Sequence, residues 1–487
     1  MTERATPRVP NFLREVFIPC NVVTRMKVLV IGSGGREHAI TRALAASDVV
    51  EEVHAAVSNR NPGIVELADS VRELDTNSPD EVVGYANEAD VSYAVVGPEA
   101  PLEAGVVDAL EEAGVYGFGP RAADARIETD KAWARRFMGE NGVDGTPDFE
   151  VFDDADETAE YVVAQDDDVA VKPHGLTGGK GVRVTGDQMT HDEAAEYVRD
   201  SDWDDWVVEE RLVGEEFTLQ AFVANGEIRP SPAVQDHKRA YEGDEGPNTG
   251  GMGSYNDAGR LLPFMDEEEY DDALGIMEQV VEGLDDYRGV LYGQFMLTDE
   301  GPKVVEFNAR FGDPEAMNVL PLLETDFGEL VRGASEGEMP PVTFAERATV
   351  CKYIVPDGYP TDPEAGAEID IDVEGDDGTL VFYASVDGRS PSAGQNTGSS
   401  DDVDERSPSA GQNTGGSDDV DARDGKLYTT TSRAVAVVGL GDTISEAEER
   451  AETALDDVGE GLRVRHDIGK PDVVQKRVDH IRELRGE

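Results

Sequence analysis

Two oxygen-bearing side chains, Glu306 and Asn308, stand two residues apart in a stretch whose β-branched residues predict a strand. A strand has a period of two, which places both on one face, opposite Val305 and Phe307. A carboxylate and an amide oxygen suit Mg²⁺, which takes few protein oxygens and completes its shell with phosphates and water. Gln294, on the preceding predicted strand, adds an oxygen if the two strands form a hairpin. Alone, the pattern is more typical of a solvated strand face, so the metal hypothesis requires a nucleotide site elsewhere.

Three charged residues, Arg310, Asp313 and Glu315, follow where this strand ends. Loops that leave a strand often carry catalytic side chains, because a rigid scaffold positions them. A simple ion pair between Arg310 and Asp313 is the alternative.

A glycine loop with cationic residues lies between two predicted strands at 169–184. Such a hairpin can fold over phosphates, with Lys172 and Lys180 supplying positive charge. It is not a P-loop, because His174 stands where the first glycine should be and Gly181 where Ser or Thr should follow the lysine. A flexible turn without a ligand is the alternative.

Lysine is scarce in this chain, yet it recurs in the motif-like segments. Besides Lys172 and Lys180, Lys131 begins a helix predicted over about 130–140, and Lys238 lies in a polar motif. A protein with few lysines on its surface would retain lysine at positions where a compact positive charge is needed. The pattern therefore favours functional roles for these four residues.

The segment 27–39 predicts a buried strand, a glycine turn and the start of a helix. The turn presents backbone N–H groups to an anion, and a lone phosphate is the predicted ligand. A dinucleotide is disfavoured, because Glu37 replaces the third glycine and the next strand, 53–57, ends without a ribose-binding acid. Strands and helices then alternate, including a helix that ends at Ala113, which predicts a doubly wound parallel sheet.

Two further stretches have the character of ligand-binding segments. The residues 206–218 predict two strands joined by a short linker, which can receive an adenine edge and leave acids for the amino group and the ribose. A solvated acidic loop is the alternative. After the motif at 235–239, the segment 246–253 has no periodicity and too many glycines for packing alone, so it is predicted to be a binding loop.

The composition is that of an acidic, multidomain globular protein. The chain of 487 residues is too long to fold around a single hydrophobic core, so we expect two to four domains. Its formal net charge of −62 is spread along the chain, as on a halophile's surface screened by concentrated cations. The alternative, an acidic protein with a basic partner, usually has a block of like charge. The lack of a basic stripe argues against nucleic-acid binding, and no apolar run reaches the length of a membrane span.

The cysteines, the first 25 residues and a repeat near the C terminus carry no sign of a catalytic site. Two cysteines, Cys20 and Cys351, fit a reduced cytosol and no disulfide framework. The first 25 residues lack a signal-peptide pattern and precede Met26 at the first strong strand, so we expect them to be dispensable. In the β-rich C-terminal part, 389–398 recurs at 406–415, and the Ser, Gly, Asp and Pro content predicts a disordered linker over 389–425.

Taken together, these stretches resemble the glycinamide ribonucleotide synthetase family of ATP-grasp ligases. The matching segments are 28–39, 96–102, 172–182, 235–239, 246–253 and 305–315. Their number, order and spread from Met26 to the C terminus make the resemblance specific, where each motif alone would not be. Pro173-His174 departs from the Ala-Asp usual in the family without removing a cationic ligand.

The resemblance implies a multidomain protein of mixed α/β and α+β class. An N-terminal domain with a doubly wound parallel sheet, at 26–127, would bind substrate. An ATP-grasp domain would follow at 128–335, with a mobile lid at about 147–215. A small β-rich C-terminal domain would occupy 336–487.

The resemblance also implies the reaction and its setting. ATP would phosphorylate the glycine carboxylate, and the amine of 5-phosphoribosylamine would attack the glycyl phosphate, giving glycinamide ribonucleotide, ADP and phosphate in de novo purine synthesis. The cofactors would be ATP with Mg²⁺ or Mn²⁺. A cytoplasmic monomer without nucleic-acid or membrane partners is expected. Positioning and charge carry such a reaction, so no nucleophilic side chain is needed.

The resemblance assigns residues of this chain to four groups. The expected metal ligands are Gln294, Glu306 and Asn308. The expected ATP-binding residues are Lys131, Lys172, Glu209, Leu212 and Glu216. The expected substrate-binding residues are Gly34, Gly35, Glu99, Asp236, Lys238, Arg239, Asn248, Gly250 and Gly251. The expected catalytic residues are Arg310, Lys180 and Asp313.

Within these groups, the resemblance gives several side chains particular tasks. Glu209 would meet the adenine amino group and Glu216 the ribose. The lysines at 131, 172 and 180 would neutralise charge on the transferring phosphoryl group. Arg310 would hold the glycine carboxylate and then the tetrahedral oxyanion.

Two other functions compete with this interpretation. One is a non-catalytic nucleotide-binding module that retains only the ATP site, and the intact Lys172, Glu306, Asn308 and Arg310 argue against it. The other is an ATP-grasp ligase for a different amine and acid. Substrate-dependent ADP release distinguishes all three.

Overall fold

The computed structural model describes residues 25–173, 181–203, 205–371, 378–388, 426–455 and 458–487. The N-terminal extension, the glycine loop at 174–180 with Lys180, and the insert at 389–425 lie outside these described residues, as does Cys20. Among the described residues, no helix is long and apolar enough to cross a membrane.

The first part of the described chain alternates strands and helices. Its elements are β1 (Met26–Ile31), α1 (Gly35–Ala45), β2 (Val50–Val57), α2 (Pro62–Leu67), β3 (Ser70–Glu73), α3 (Pro79–Glu88), β4 (Tyr93–Val96), α4 (Glu99–Glu103), α5 (Val106–Glu112) and β5 (Tyr116–Phe118). The strands pair in parallel in the order β3-β2-β1-β4-β5, which confirms the predicted sheet. The strand order reverses between β1 and β4, so the carboxyl ends of these strands open a crevice.

One predicted helix of this region is divided in the structure, and another forms as predicted. The helix predicted to end at Ala113 is divided into α4 and α5, because Gly105 adopts a left-handed φ of +78° at the start of α5. After α6 (Ala122–Thr129) comes α7 (Lys131–Asn141), as predicted for about 130–140. Asp130 caps α7 by accepting a hydrogen bond from the Trp133 N–H at 2.8 Å, which fixes Lys131 in the first turn.

The next segment forms a small unit with its own hydrophobic core. Its elements are β6 (Phe149–Phe152), α8 (Ala155–Ala164), β7 (Val169–Pro173), β8 (Arg183–Val184), α9 (His191–Asp200) and β9 (Trp206–Glu210). The strands form an antiparallel sheet in the order β6-β9-β7-β8, so β7 and β8 are the predicted hairpin around the glycine loop. Val171, Trp206 and Val208 pack with the two helices in a cluster separate from the main core. The predicted mobility of this unit stays a prediction.

The central part is built on a second antiparallel sheet. Its elements are β10 (Glu215–Ala224), β11 (Glu227–Pro230), β12 (Gln235–Asp236), β13 (Arg239–Tyr241), β14 (Glu245–Asn248), β15 (Gly253–Asn256), α10 (Glu267–Gly283), β16 (Gly289–Thr298), β17 (Gly301–Asn308), α11 (Ala316–Val319), a 3₁₀ helix (Leu320–Leu322) and α12 (Phe327–Glu336). The sheet order is β11-β10-β16-β17, and α10 covers it with Tyr270, Ile276 and Val280 buried. The tight turn between β16 and β17 confirms the predicted hairpin.

The C-terminal part forms a third sheet that recruits strands from the central part. Its own elements are β18 (Ala348–Pro356), β19 (Glu368–Ile369), β20 (Thr379–Tyr383), β21 (Val386–Asp387), β22 (Leu427–Thr429), β23 (Val435–Gly441), α13 (Ile444–Ala454), β24 (Leu462–Arg463) and α14 (Pro471–Arg485). The sheet order is β12-β15-β18-β23-β20, with β24 added on β18. The sheet therefore crosses the domain boundary that the sequence places at residue 336, and the boundary itself stays a prediction. The predicted mixed class, with a parallel N-terminal sheet and a β-rich C-terminal part, is confirmed.

His38 on α1 joins the N-terminal sheet to the C-terminal part. Its Nδ1 accepts a hydrogen bond from the Tyr383 N–H at 3.0 Å, and its ring lies 5.3 Å from the Phe382 ring. A side chain at Gly63 would clash with the imidazole, so the residue there must be glycine for the ring to fit. Burial, together with the Arg42 charge, lowers the pKa of His38 to about 4.

We expect His38 to make the protein less stable in mild acid. The unfolded chain binds a proton at this residue below its ordinary pKa of 6.5, whereas the folded chain does not until about 4, so stability is lost as the pH falls through that window. Between pH 7 and 5 the wild type should lose about 2 kcal/mol more than His38→Gln. Denaturant unfolding at one fixed high salt concentration measures this, with His191→Gln as the matched control. Parallel pH profiles for the wild type and His38→Gln would contradict it.

The strands on either side of the insert lead to a second prediction. Val386 and Asp387 of β21 pair antiparallel with Thr429 and Tyr428 of β22, so a short turn can join the two strands directly. Replacing 389–425 by such a turn should leave the melting temperature and turnover nearly unchanged at high salt, because loop closure depends only weakly on loop length. Thermal unfolding and an activity assay test this. A large fall in either quantity would mean that the insert stabilises the body of the protein.

Candidate active site

One cavity of about 380 Å³ collects most of the charged residues singled out in the sequence. It lies between the N-terminal sheet, α7, the hairpin of β16 and β17, and the loop that follows β13 and β14. Its charged lining residues are Arg36, Glu99, Glu128, Lys131, Arg135, Lys172, Glu209, Asp236, Lys238, Glu306, Arg310, Asp313, Glu315 and Arg433. Positive and negative side chains are interleaved around it.

The hairpin places its two polar residues on the cavity by way of a bulge. Gln294 pairs with Glu306 and Phe295 with Val304, so Val305 has no partner on β16. The predicted alternation holds over Glu306, Phe307 and Asn308, which pair in regular register with β16, and Phe307 packs into the core against Phe295. The bulge interrupts the alternation only at Val305. The bulge turns the Val305 carbonyl toward the cations on α7 and β7.

Lys238 connects the hairpin with the motif at 235–239. Its Nζ donates to Gln294 Oε1 and lies 3.9 Å from Glu306 Oε1. Gln294 Nε2 in turn donates to Glu216 Oε2 at 2.7 Å. Although burial raises the pKa of Glu306, nearby lysines led by Lys238 lower it below its ordinary value, so the carboxylate is ionised.

The donor set of the hairpin fits a metal ion that takes few ligands from the protein. Among the described residues, no group of three or more His, Cys, Asp or Glu side chains is arranged to hold a metal by itself. Glu306 and Asn308 offer one carboxylate and one amide oxygen at the cavity, which suits Mg²⁺ or Mn²⁺ bound jointly with phosphates. The Gln294 oxygen already accepts from Lys238, so its role as a ligand stays a prediction.

A buried ion cluster lies at the bottom of the cavity. Glu209 on β9 accepts from Arg135 Nε at 2.6 Å and from Lys172 Nζ at 2.7 Å. Both cations also donate to the Val305 carbonyl, at 2.7 and 3.1 Å. Burial raises the pKa of Glu209, but the charges of Arg135 and Lys172 outweigh it and lower that pKa below its ordinary value. The carboxylate predicted to meet adenine is therefore committed to two cations.

Arg310 lies between two carboxylates of the N-terminal side. Its Nη2 is 2.6 Å from Glu128 Oε1, and its Nε is 3.5 Å from Glu99 Oε2. Glu128 also accepts from the Ala309 N–H at 2.8 Å, which holds the start of the loop after β17. Burial raises the pKa of Glu128 to about 7 despite the neighbouring Arg310. Arg310 lines the cavity as expected, and its role toward glycine stays a prediction.

The glycine turn after β1 binds an anion of the chain itself. The Gly34 N–H donates to Glu37 Oε2 at 2.5 Å, and Arg36 Nε donates to Glu37 Oε1 at 2.6 Å. Glu37 is the third residue of α1 and folds back over the turn, so its carboxylate already uses one N–H of the turn. The lone phosphate predicted there stays a prediction. Gly35 lies against the Tyr353 hydroxyl, and neither glycine is among the lining residues described for the cavity.

Arg433 fastens the binding loop to the end of the hairpin. It comes just before β23, and its Nη1 donates to the carbonyls of Gly250, Gly251 and Asp313 at 2.7, 3.1 and 2.9 Å. Its guanidinium lies 4.5 Å above the Tyr353 ring, and the Tyr353 hydroxyl donates to Asp313 Oδ1 at 2.7 Å. The C-terminal part thus positions two segments of the cavity wall.

The structure brings most of the expected site residues together. Those that line the cavity are Glu99, Lys131, Lys172, Glu209, Asp236, Lys238, Asn248, Gly250, Glu306, Asn308, Arg310 and Asp313. The described ones that do not are Gly34, Gly35, Leu212, Glu216, Arg239, Gly251 and Gln294. Of these, Arg239 instead pairs with Asp187 of the small unit at 2.9 Å.

Sequence reasoning missed several residues of the site. Arg36, Glu128, Arg135, Tyr292 and Arg433 all line the cavity. Only Arg135 had a local signal, since it follows Lys131 by four residues and therefore lies on the same face of α7. The others lack a motif of their own.

We expect Arg135 to stabilise the fold as well as the site. Arg135→Met would leave the buried Glu209 with a single cation, and breaking such a pair costs about 3–5 kcal/mol of unfolding free energy. Changing both residues to methionine should cost less than the sum of the single changes. Denaturant unfolding measures this. The control is Arg229→Met, whose partly exposed pair with Glu227 should contribute under about 1 kcal/mol, and an equally small effect at Arg135 would refute the assignment.

Comparison with known proteins gives matches along almost the whole described chain. Three family models match in order: phosphoribosylglycinamide synthetase N domain at 26–128, its ATP-grasp (A) domain at 129–316, and its C domain at 349–471.

Full-length relatives agree with these matches. The chain is 48% identical over 471 residues to phosphoribosylamine–glycine ligase of Methanocella arvoryzae, covering 95% of this chain and 100% of the relative. It is 47% identical over 470 residues to the protein of that name in Methanosarcina barkeri, with the same coverage of the two chains. A crystal structure of phosphoribosylamine–glycine ligase from Thermotoga maritima has a TM-score of 0.69 at 28% identity, covering 91% of this chain and 99% of the other.

Proposed function

This chain belongs to the phosphoribosylglycinamide synthetase family, and we propose that the described cavity is where it joins glycine to 5-phosphoribosylamine with cleavage of ATP. The reaction forms glycinamide ribonucleotide, ADP and phosphate in de novo purine synthesis. The observation that carries the proposal is the convergence of cations and oxygen ligands from all three family domains on one cavity. Mass analysis of the product from ATP, glycine and freshly made phosphoribosylamine tests it.

The first step transfers a phosphoryl group to glycine. A glycine carboxylate oxygen attacks the γ-phosphorus of ATP, the bond to the bridging oxygen breaks, and ADP leaves. Lys131, Lys172 and Lys238 surround Glu306 with positive charge, which stabilises the transferring group by electrostatics in a partly desolvated site. Lys180, on the loop between β7 and β8, would add to this charge.

Two residues at the end of the hairpin would bind a divalent ion together with the nucleotide. Glu306 and Asn308 would hold Mg²⁺ or Mn²⁺, which when bound supplies charge neutralisation between the ATP phosphates. Gln294 would support the pair through the hairpin register, since it faces Glu306 on β16. Leu212 and Glu216 lie beyond the hairpin and would serve the nucleoside end of ATP.

The second step forms the carbon–nitrogen bond. The amine nitrogen of phosphoribosylamine attacks the acyl carbon of glycyl phosphate, the bond from that carbon to the phosphate oxygen breaks, and the departing phosphate takes up the proton that the nitrogen loses. Arg310 would hold the glycyl oxygens, and Glu99 and Glu128 fix the direction of its guanidinium. Asp313, held by Tyr353 and Arg433, would orient the amine. Gly34 and Gly35, at the crevice of the N-terminal sheet, would face the ribosyl group.

The proposal also covers the oligomeric state, the cellular location and a moving part of the protein. The chain works as a monomer in the cytoplasm, and its net charge of −62 suits a protein adapted to high salt. The unit of β6 to β9 acts as a lid over the nucleotide. Arg239 donates to the Gly246 carbonyl and pairs with Asp187, so it would link the binding loop at 246–253 to this unit, while Gly251 would give the loop its close approach to substrate.

A decisive substitution is Glu306→Gln, which keeps the shape and removes one charge from the metal ligands. Turnover should fall by orders of magnitude, because charge stabilisation at a metal contributes several kcal/mol to such a transition state. The fold should survive, since the side chain is 41% exposed and serves the cavity. Glycine-dependent ADP release is measured against Mg²⁺ concentration at one high salt concentration.

The control is Glu300→Gln at the turn of the same hairpin, where the side chain is 75% exposed. It should leave turnover and stability unchanged within about 0.5 kcal/mol. If Glu306→Gln gives the same Mg²⁺ curve as the wild type, the metal assignment fails. Nucleotide binding without any glycine-dependent ADP release in the wild type would favour a non-catalytic module instead.

A further inference from the structure

A second ion network lies behind the cavity, where it joins the C-terminal part to the hairpin of β13 and β14. Asp244, at the tip of that hairpin, accepts hydrogen bonds from Arg465 at 2.8 Å and from Arg477 of α14. Its Oδ1 also lies 3.4 Å from His237 Nδ1. None of these four residues is among the lining residues described for the cavity. No step of the proposed reaction uses them, so their concentration at one hairpin needs another explanation.

The tip of the hairpin is held against the C-terminal part by a charged aspartate. Asp244 has a φ of +60°, in the left-handed region that is uncommon for residues other than glycine. The N–H of Gly243, the residue before it, donates to Asp467 Oδ2 at 2.9 Å. Burial raises the pKa of Asp244, but the hydrogen bond from His237 and the charges of two arginines outweigh burial and lower that pKa below its ordinary value. The carboxylate is therefore ionised where the hairpin meets the C-terminal part.

The network fixes the chain on both sides of Lys238. His237, the residue before it, is buried, and its ring lies against Asp244. The carbonyl of Arg239, the residue after it, accepts a hydrogen bond from Arg465 Nη1 at 3.1 Å. That same nitrogen of Arg465 also donates to Asp244. The contacts that hold the two neighbours of Lys238 therefore meet at one carboxylate.

The direction of the Lys238 side chain matters because it ends at the proposed metal ligands. Its Nζ donates to Gln294 Oε1 and lies 3.9 Å from Glu306 Oε1. Its carbonyl accepts from the Thr249 N–H at 2.8 Å, so the hairpin closes directly behind it. A lysine stem is flexible, and its direction is therefore set by its backbone and by its partners. A shift of the hairpin would displace the ammonium group from the transferring phosphoryl group, and small displacements at a reacting centre are costly to turnover.

We infer that Asp244 is a positioning residue for the ligation, which fixes the backbone on both sides of Lys238 and thereby directs its ammonium group at the metal ligands. This inference rests on the proposed function, in which Lys238 supplies positive charge beside Glu306. Asp244 acts through the hairpin and not on the reacting atoms, so no bond is made or broken there. The C-terminal segment that carries Arg465 and Arg477 is thereby required for turnover as well as for the fold.

The substitution Asp244→Asn removes the charge and leaves the rest of the network paired. Asparagine suits a left-handed backbone, so the tip of the hairpin keeps its conformation. Arg465 retains its ion pair with Asp467 at 2.5 Å, and Arg477 retains its ion pair with Glu215 at 3.2 Å. Each cation therefore keeps a carboxylate, and we expect the variant to fold.

The test is a double-mutant cycle on kcat, measured in the full chain at one fixed high salt concentration. Asp244→Asn should lower kcat about tenfold in the wild type, but less than about twofold when Lys238→Met has already removed the ammonium group. A purely structural residue would lower kcat by the same factor in both backgrounds. Asp286→Asn is the matched control, since Asp286 also lies near two arginines at a φ of +64°, and it should leave kcat unchanged. Equal losses in the two backgrounds, or an Asp244→Asn chain that does not fold, would overturn the inference.

A second measurement does not depend on turnover. Limited reductive methylation followed by peptide mass spectrometry reports how exposed the Lys238 ammonium group is. It should react about threefold faster in Asp244→Asn than in the wild type, because a side chain that leaves its partners is more exposed, while Lys303 on β17 reacts at the same rate in both. Unchanged reactivity of Lys238 in the folded variant would also overturn the inference. If the wild type forms no ligated product at all, the proposed function fails, whereas if product forms and only the Asp244 predictions fail, the inference alone is wrong.

Discussion

The ion cluster of Arg135, Glu209 and Lys172 is the contact on which the rest of the site depends. It joins α7, two strands of the small unit and the Val305 carbonyl of the hairpin through hydrogen bonds of 2.6 to 3.1 Å. Because all three side chains are almost fully buried, removing Glu209 would leave two cations without a carboxylate, and removing either cation would leave Glu209 with one. The small unit is thereby tied to the central sheet at its base.

Around the cavity of this acidic protein, each cation discussed above is paired with one or more carboxylates. A net charge of −62 would repel ATP from a distance, so the cations must be concentrated where the phosphates bind. Arg310 between Glu99 and Glu128 and Lys238 beside Glu306 follow the same rule as the cluster at the base. Each cation is held by carboxylates in a fixed direction, which is what electrostatic preorganisation requires.

The C-terminal part belongs to the site although its sequence carried no motif. β12 and β15 of the central segment complete the sheet of β18, β23 and β20, so the loop between them is anchored in that sheet. Arg433 then reaches back to three carbonyls of the cavity wall. The physical consequence is that the loop at 246–253 has a rigid frame despite its glycines.

The sequence by itself determined the local features of this protein. The cap at Asp130, the hairpin that places Gln294 opposite Glu306, and the alternation that builds the parallel sheet all depend on neighbours in the chain, and each was predictable. Only the tertiary structure decided which charges meet. Arg135 and Glu209 are 74 residues apart, and Arg433 and Asp313 are 120 apart, so no local pattern joins them. The bulge at Val305 and the carboxylate of Glu37 at the glycine turn were likewise set by packing and by a competing internal partner, because a backbone group bonds to whichever donor or acceptor the fold brings nearest.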